Sequence, residues 1–177
     1  MKKSKKTTRQ APAPDVLIVA GSESDLAKLD PAVEILDAFR VPHVLRVASA
    51  HRTPEYLDEL IREFTTRGGS VIIAAAGKSA HLPGVAASKT RLPVIGVPIS
   101  ASLMGIDALL SIVQMPPDVP VAAVGIDASR NAALLAVQIL ALQSPRLAEK
   151  LRNFREKRKN DLAARYRKIS PKAGKNA

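Results

Sequence analysis

His51 and Arg52 stand side by side in the run Ser49-Ala50-His51-Arg52-Thr53-Pro54. An imidazole ordinarily titrates near neutral pH and suits general acid/base work. A guanidinium is a permanent cation that grips phosphate or carboxylate through paired N–H groups. The run follows a strand pattern, Val44-Leu45-Arg46-Val47, and leads into helix-start residues, with Thr53 fit for an N-cap and Pro54 for the first helical position. The spacing therefore puts His51 and Arg52 in a strand-to-helix loop, where free backbone N–H groups and the helix dipole favour anions.

Two other loops carry chemistry-bearing residues. Gly21-Ser22-Glu23-Ser24-Asp25 follows the apolar run Val16-Leu17-Ile18-Val19-Ala20 directly. Gly21 permits a tight turn, Ser22 with Asp25 fits a capping box, and hydroxyls with free N–H groups at a helix start make a phosphate or sugar site. The run is neither a dinucleotide fingerprint nor a Walker loop. The second loop, Ala76-Gly77-Lys78-Ser79-Ala80-His81-Leu82-Pro83-Gly84, has small residues that allow a backbone-lined pocket, and His81 there would approach the sites after the first two strands. His43, after Pro42, reads as structural or exposed. Each loop alone also fits a plain helix start.

The elements that must position these loops are legible as an alternation. Apolar runs at 16–20, 44–47, 71–75, 94–97 and 119–124 read as strands of the buried, parallel kind. Between them lie an amphipathic helix with Leu29, Val33, Leu36 and Phe39 at helical spacing, a helix over 54–67, a short helix after Gly84, and one over 103–113; an Ala/Leu-rich helix over 129–143 follows the last strand. Five β-α repeats imply one doubly wound parallel sheet covered on both faces, with ligands bound outside the carboxyl ends of its strands. Ser144-Pro145 starts a last helix, over 145–168, whose stripe Leu147, Leu151, Phe154 has no place in a three-layer sandwich and is expected to pack on another subunit. Residues 1–14 read as a disordered basic leader, 15–144 as the α/β domain, and 169–177 as a disordered tail.

Composition narrows the class. The 177 residues suffice for one α/β domain, and aromatics are so few (3%) that its core must be Val, Ile, Leu and Ala. There is no cysteine, which removes disulfide and thiol chemistry and fits a reducing, cytoplasmic compartment; with three histidines in all, a structural zinc site is disfavoured. No apolar run is long enough to cross a bilayer, and the basic leader lacks a signal peptide's apolar stretch. The net charge of +11 is unevenly spread: residues 1–14 carry +5 and 145–177 carry +9, while 15–144 carry −3. The basic ends therefore read as solvated, and nucleic acid is not the expected partner, with few aromatics for base stacking.

Taken together, Gly21-Ser22-x-Ser24-Asp25, Ser49-Ala50-His51-Arg52-Thr53-Pro54, Ala80-His81-Leu82-Pro83-Gly84, Ser111-Ile112-Val113-Gln114-Met115-Pro116 and Asn131-Ala132-Ala133-Leu134-Leu135-Ala136, in this order, resemble the 5-(carboxyamino)imidazole ribonucleotide mutases of bacterial purine biosynthesis. The resemblance covers about residues 15–145. It implies a flavodoxin-like three-layer sandwich with a five-stranded parallel sheet and an extra C-terminal helix. It also implies a homo-octamer with that helix reaching across neighbours, and a reaction that moves a carboxylate from the exocyclic amine to ring carbon four with no metal or organic cofactor.

The resemblance further implies roles by position. Ser22, Asp25 and Arg52 would bind the ribose phosphate end of the substrate, with Ser49, Gly21 and Ser24 lining the same pocket. His51 would be the general acid/base. His81, with Gly77, Lys78, Ser79 and Leu82, would close over the carboxylate or trapped carbon dioxide. Two places depart from the family pattern: Lys78-Ser79 stand where a Gly-rich run is usual, and Gly125–Arg130 is shorter than in many mutases. A cation at that place resembles the related carboxylases that use aminoimidazole ribonucleotide and free carbon dioxide, which is the alternative reading. A non-catalytic module holding polyanions on its basic ends is the more remote one.

Overall fold

The apolar runs form five strands of one parallel sheet, of which the three central ones are buried and the two edge ones are not. The structure, a computed structural model, describes residues 14–169. Its strands are β1 (Val16–Ala20), β2 (His43–Val47), β3 (Val71–Gly77), β4 (Val94–Ile99) and β5 (Ala122–Ala123). The order is β2-β1-β3-β4-β5, all parallel, with Val16 opposite both His43 and Val71, Ile72 opposite Val94, and Ile95 opposite Ala122. This order reverses direction between β1 and β3, and a doubly wound sheet opens its ligand crevice at such a point.

The helices are α1 (Leu26–Phe39), α2 (Pro54–Thr66), α3 (Leu82–Lys89), α4 (Ile106–Val113), α5 (Ser129–Ala141) and α6 (Pro145–Arg167). Side chains alternate across a strand, so β1 and β3 serve two cores at once. Leu17, Val19, Ile72 and Ala74 pack with Leu57, Ile61 and Phe64 of α2, Leu82 and Ala86 of α3, and Ala108 and Ile112 of α4. Ile18, Ala20, Ile73 and Ala75 point to the opposite face and are fully buried, as are Leu29, Ala32 and Leu36 of α1 and Ala132, Ala133 and Ala136 of α5. The expected three-layer, flavodoxin-like sandwich is what forms.

Several expected boundaries need correction; α3, for one, begins at Leu82 rather than after Gly84. The fifth strand pairs over only two residues rather than over 119–124. Pro120 has no N–H to give a ladder, and β5 lies at the sheet edge, where proline is confined. β3 runs on through Ala76 and Gly77, so the loop after it starts later than the sequence implied. His43 opens β2 instead of preceding it: its Nδ1–H donates to the Val41 carbonyl at 2.9 Å, the structural role expected.

The contacts divide the chain after Ala136 into two compact units. In the second, the Ser144 hydroxyl accepts from the Leu147 N–H at 3.3 Å and so caps α6, with Pro145 in the first turn. No residue of α6 is buried. The basic leader and C-terminal tail, but for Pro14 and Ile169, lie outside the described residues.

Candidate active site

The carboxyl ends of β1, β2, β3 and β4 open into one cavity of about 510 Å³. It is lined by Gly21, Ser22, Ser24 and Asp25 after β1, by Ser49, Ala50, His51 and Arg52 after β2, by Gly77, Lys78, Ser79 and Leu82 after β3, and by Ala101 after β4. A second cavity, of about 380 Å³, lies at the amino ends of β1 and β2; it gathers His43 with mainly apolar residues and no hydroxyl or paired imidazole, so the chemistry belongs to the larger one.

After β1, the Gly21 N–H still pairs with the Ala75 carbonyl at 2.9 Å, and Ser22 turns into a short 3-10 turn over Glu23–Asp25. Ser22 Oγ accepts from the Ser24 N–H at 3.4 Å and lies 3.0 Å from Ser24 Oγ. The capping role expected of Ser22 is thus real, and the Ser22 backbone also bonds the Asp25 carboxylate, as a capping box requires. That carboxylate lies 3.4 Å from Ser24 Oγ, in a residue only 8% exposed. Burial raises the Asp25 pKa above the ordinary carboxylate value, against the opposing pull of the Ser24 hydroxyl, the Ser22 backbone and the Arg52 charge.

After β2, Ser49 and Thr53 close a ring on each other. The Ser49 N–H donates to Thr53 Oγ1 at 2.9 Å, and Thr53 Oγ1 donates to the Ser49 carbonyl at 3.2 Å. Thr53 holds the N-cap position of α2 but its side chain makes no cap bond, because it is spent on this ring. Ser49 Oγ accepts from the Arg52 N–H at 3.2 Å and from Arg52 Nε at 3.4 Å, while Arg52 Nη2 donates to the Gly21 carbonyl at 3.1 Å. The guanidinium is therefore held between the β1 and β2 loops beside the serine hydroxyls, a ready site for an anion.

After β3, Lys78 takes a left-handed backbone, φ 56°. The turn that follows is tight: the Ala80 N–H donates to the Lys78 carbonyl at 2.8 Å, and the His81 N–H to the Ser79 carbonyl at 2.7 Å. His81 then holds the N-cap position of α3, its carbonyl accepting from the Val85 N–H at 2.9 Å. That geometry turns the His81 ring to His51. His51 Nε2 lies 2.9 Å from His81 Nδ1, with the rings edge to face, centroids 5.0 Å apart.

Every residue the sequence singled out for the site lines this cavity except His81, which joins it through His51. Leu82 does double duty, being 2% exposed within the core and also part of the cavity wall. Ala50 and Ala101 were not foreseen; an alanine carries no chemical signal, and only the placement of β4 beside β3 brings Ala101 here. Among the described residues no group of three or more His, Asp or Glu is arranged to hold a metal ion, and no helix is long and apolar enough to cross a membrane.

The chain as a whole is similar to known proteins. Residues 15–161 match the family model of AIR carboxylase. The chain is 56% identical over 144 residues to the N5-carboxyaminoimidazole ribonucleotide mutase of Pyrococcus abyssi, covering 81% of this chain and 83% of that one. It is 53% identical over 154 residues to the mutase of the same name from Methanocaldococcus jannaschii, covering 87% and 96%. A crystal structure of Treponema denticola PurE superimposes with a TM-score of 0.81 at 27% identity, covering 88% of this chain and 98% of that one. With the motifs, the sheet order and this extent of identity in agreement, the chain belongs to the AIR carboxylase family.

Proposed function

We propose that the protein is an N5-carboxyaminoimidazole ribonucleotide mutase, an isomerase of purine biosynthesis. The observation that carries this reading is the His51–His81 contact at 2.9 Å beside a cavity whose serine hydroxyls and pinned Arg52 offer an anion site. Identity above one half to relatives of that name supports it.

In this reading Arg52, Ser22 and Ser24 take the phosphate, and the buried Asp25 takes a ribose hydroxyl, with Ser49 and Gly21 shaping the pocket. The carbon–nitrogen bond of the carbamate breaks, releasing carbon dioxide within the cavity. His51 gives its proton to the amine nitrogen as that bond breaks. Ring carbon four then attacks carbon dioxide, and His51 takes back the proton that carbon four loses. The proton count closes, so one shuttle suffices. A carbamate parts with carbon dioxide readily, so the enzyme's task is to retain and redirect it. Gly77, Lys78, Ser79, Leu82 and the His81 ring form the enclosure for that step.

The same reading places the enzyme in the cytoplasm as a homo-octamer, with α6 packed on a neighbouring subunit. Size-exclusion chromatography with light scattering on the purified protein tests the assembly; a monomer at micromolar concentration would exclude it.

A second reading, carboxylation of aminoimidazole ribonucleotide by free carbon dioxide, is favoured by one observation: the Lys78 cation in the cavity wall. One experiment separates the two. The protein is incubated with the carbamate substrate, without ATP, and the 4-carboxylate is followed by ultraviolet absorbance, beside aminoimidazole ribonucleotide plus bicarbonate. Turnover of the first, with the second active only at very high bicarbonate, is the expected outcome. The reverse preference replaces the mutase by the carboxylase, and silence in both removes the enzyme reading.

A further inference from the structure

The segment 100–105, between β4 and α4, is bent against its preferences. Leu103, Met104 and Gly105 have consecutive positive φ values of 43°, 55° and 81°. Such backbone persists only where its surroundings over-determine it. Leu103 and Met104, 73% and 80% exposed, supply little of that constraint. The constraint comes from the ends. At one end the Ser102 hydroxyl donates to Asp107 Oδ2 at 2.5 Å. At the other, a single carboxylate takes both donors of Ser100: the N–H reaches Asp127 Oδ1 at 3.0 Å, and the hydroxyl reaches Asp127 Oδ2 at 2.5 Å.

Asp127 is itself fixed. Its N–H donates to the Pro98 carbonyl at 2.8 Å, and Lys28 of α1 donates to its Oδ2 at 2.6 Å and to Ser100 Oγ at 3.2 Å. Lys28 is tethered in turn, its carbonyl accepting from the fully buried Ser129 hydroxyl at 2.6 Å. Partial burial would raise the Asp127 pKa, but the bonds from Lys28 and Ser100 outweigh it and hold the group below its ordinary value, so it is anionic at neutral pH. The next residue after Ser100 is Ala101, in the cavity wall; a methyl group placed on Gly77 would lie 3.2 Å from Ala101 Cβ and 3.1 Å from the Ile99 carbonyl oxygen. There is no slack between these two strand ends.

We propose that Lys28 and Asp127 are a positioning pair which, through Ser100, sets Ala101 against Gly77 and so holds the β4 side of the cavity wall in the place that retains carbon dioxide between its release and its recapture. Neither residue need touch the substrate. The pair links α1, whose amino end follows the Ser22–Asp25 loop, to the wall contributed by β4. The proposal rests on the mutase reading for the identity of the trapped molecule, but the loop-holding role stands apart from it.

The test uses the full-length protein and the variants Asp127→Asn, Lys28→Met, the double variant, and Lys28→Arg. Asparagine accepts the left-handed backbone at 127, where φ is 56°, so the charge is removed without new strain. Each turnover is divided between the 4-carboxylate and aminoimidazole ribonucleotide with escaped carbon dioxide, after subtraction of the uncatalysed decay. Asp127→Asn and Lys28→Met are expected to raise the escaping fraction roughly tenfold, the double variant no further than the worse single one, and Lys28→Arg to restore retention. A merely structural role would lower the melting temperature without moving this partition, and that result overturns the proposal. Hydrogen exchange of residues 99–105 is measured in parallel. Faster exchange in both single variants is expected; unchanged exchange overturns the pair's role even if the partition shifts. Wild-type protein that makes no 4-carboxylate, with exchange still faster in the variants, would mark failure of the mutase reading alone.

Discussion

His51 Nε2 and His81 Nδ1 meet at 2.9 Å, which requires one of the two nitrogens to carry the proton and the other to present its lone pair. His81 thus orients the ring proposed as the proton shuttle, from a position 30 residues further along the chain. His51→Asn is expected to lower kcat/KM by about 10²–10⁴-fold, the usual range for a lost proton-transfer group. His81→Asn should cost less, because it removes the orienting partner and leaves the shuttle. Both rings are exposed, so both variants should melt within about 0.5 kcal/mol of wild type. Equal losses from the two substitutions would show that the rings act as one unit rather than as shuttle and support.

Asp25 makes a second prediction, in which stability and activity move in opposite directions. Burial raises its folded-state pKa above the unfolded value. The folded protein therefore binds this proton more tightly than the unfolded chain. Stability falls as pH rises from the unfolded carboxylate value, about 3.9, through the raised folded value, and the cost remains at neutral pH. Asp25→Asn removes that cost. At pH 7 it should melt higher than wild type, with the gap narrowing as pH falls below the unfolded value, while KM for the ribonucleotide rises. Thermal melts of both proteins from acid to neutral pH check the sign; a variant that melts lower at pH 7 would mean that the bonds to Ser24 matter more than the desolvated charge.

The sequence carried the site further than it carried the fold's edges. The three loops were legible because each follows an apolar strand pattern and carries residues with few other uses there: Ser22 and Asp25, His51 and Arg52, His81. The partnership of His51 with His81 was visible only as two imidazoles in equivalent loops; their contact depends on β1 lying between β2 and β3, a long-range fact of sheet order. Ala101 and the Lys28–Asp127 pair were not legible, since the pair is 99 residues apart and neither member lies in a recognisable motif. β5 was overestimated because its apolar pattern says nothing about which N–H groups find a partner. Thr53 looked like a cap because its type and place fit one, and only the geometry shows its hydroxyl closing on Ser49.

Gly96 tests how the sheet receives α4. A methyl group placed there would lie 2.5 Å from Ile112 Cγ2 and 3.3 Å from Pro83 Cβ, both on packed helices. Ile112 is fully buried and cannot swing aside. Gly96→Ala should therefore destabilise the protein by about 1–3 kcal/mol, as overpacking of a close-packed core does, measured by urea denaturation. Since α4 and the turn before it hold Ser102 and Asp107, the same variant should loosen residues 100–105 in hydrogen exchange. A fully stable Gly96→Ala protein would mean that α4 can lift off β4 at little cost.

Lys78 separates backbone from charge at one position. Its φ of 56° is a conformation that costs a side-chain-bearing residue about 1–2 kcal/mol and glycine almost nothing. Its charge also acts on Asp107, whose pKa is lowered chiefly by the Ser102 hydrogen bond, then by nearby backbone N–H groups, and last by Lys78. Lys78→Gly should raise the melting temperature through the backbone and weaken substrate binding through the lost charge. Lys78→Met keeps the strained backbone and loses only the charge, so it should show the same rise in KM without the gain in stability. If both variants bind the ribonucleotide as tightly as wild type, the cation serves Asp107 and the loop rather than the carboxylate. If the two differ in KM, the left-handed turn itself shapes the pocket, and the lysine is tolerated there rather than required.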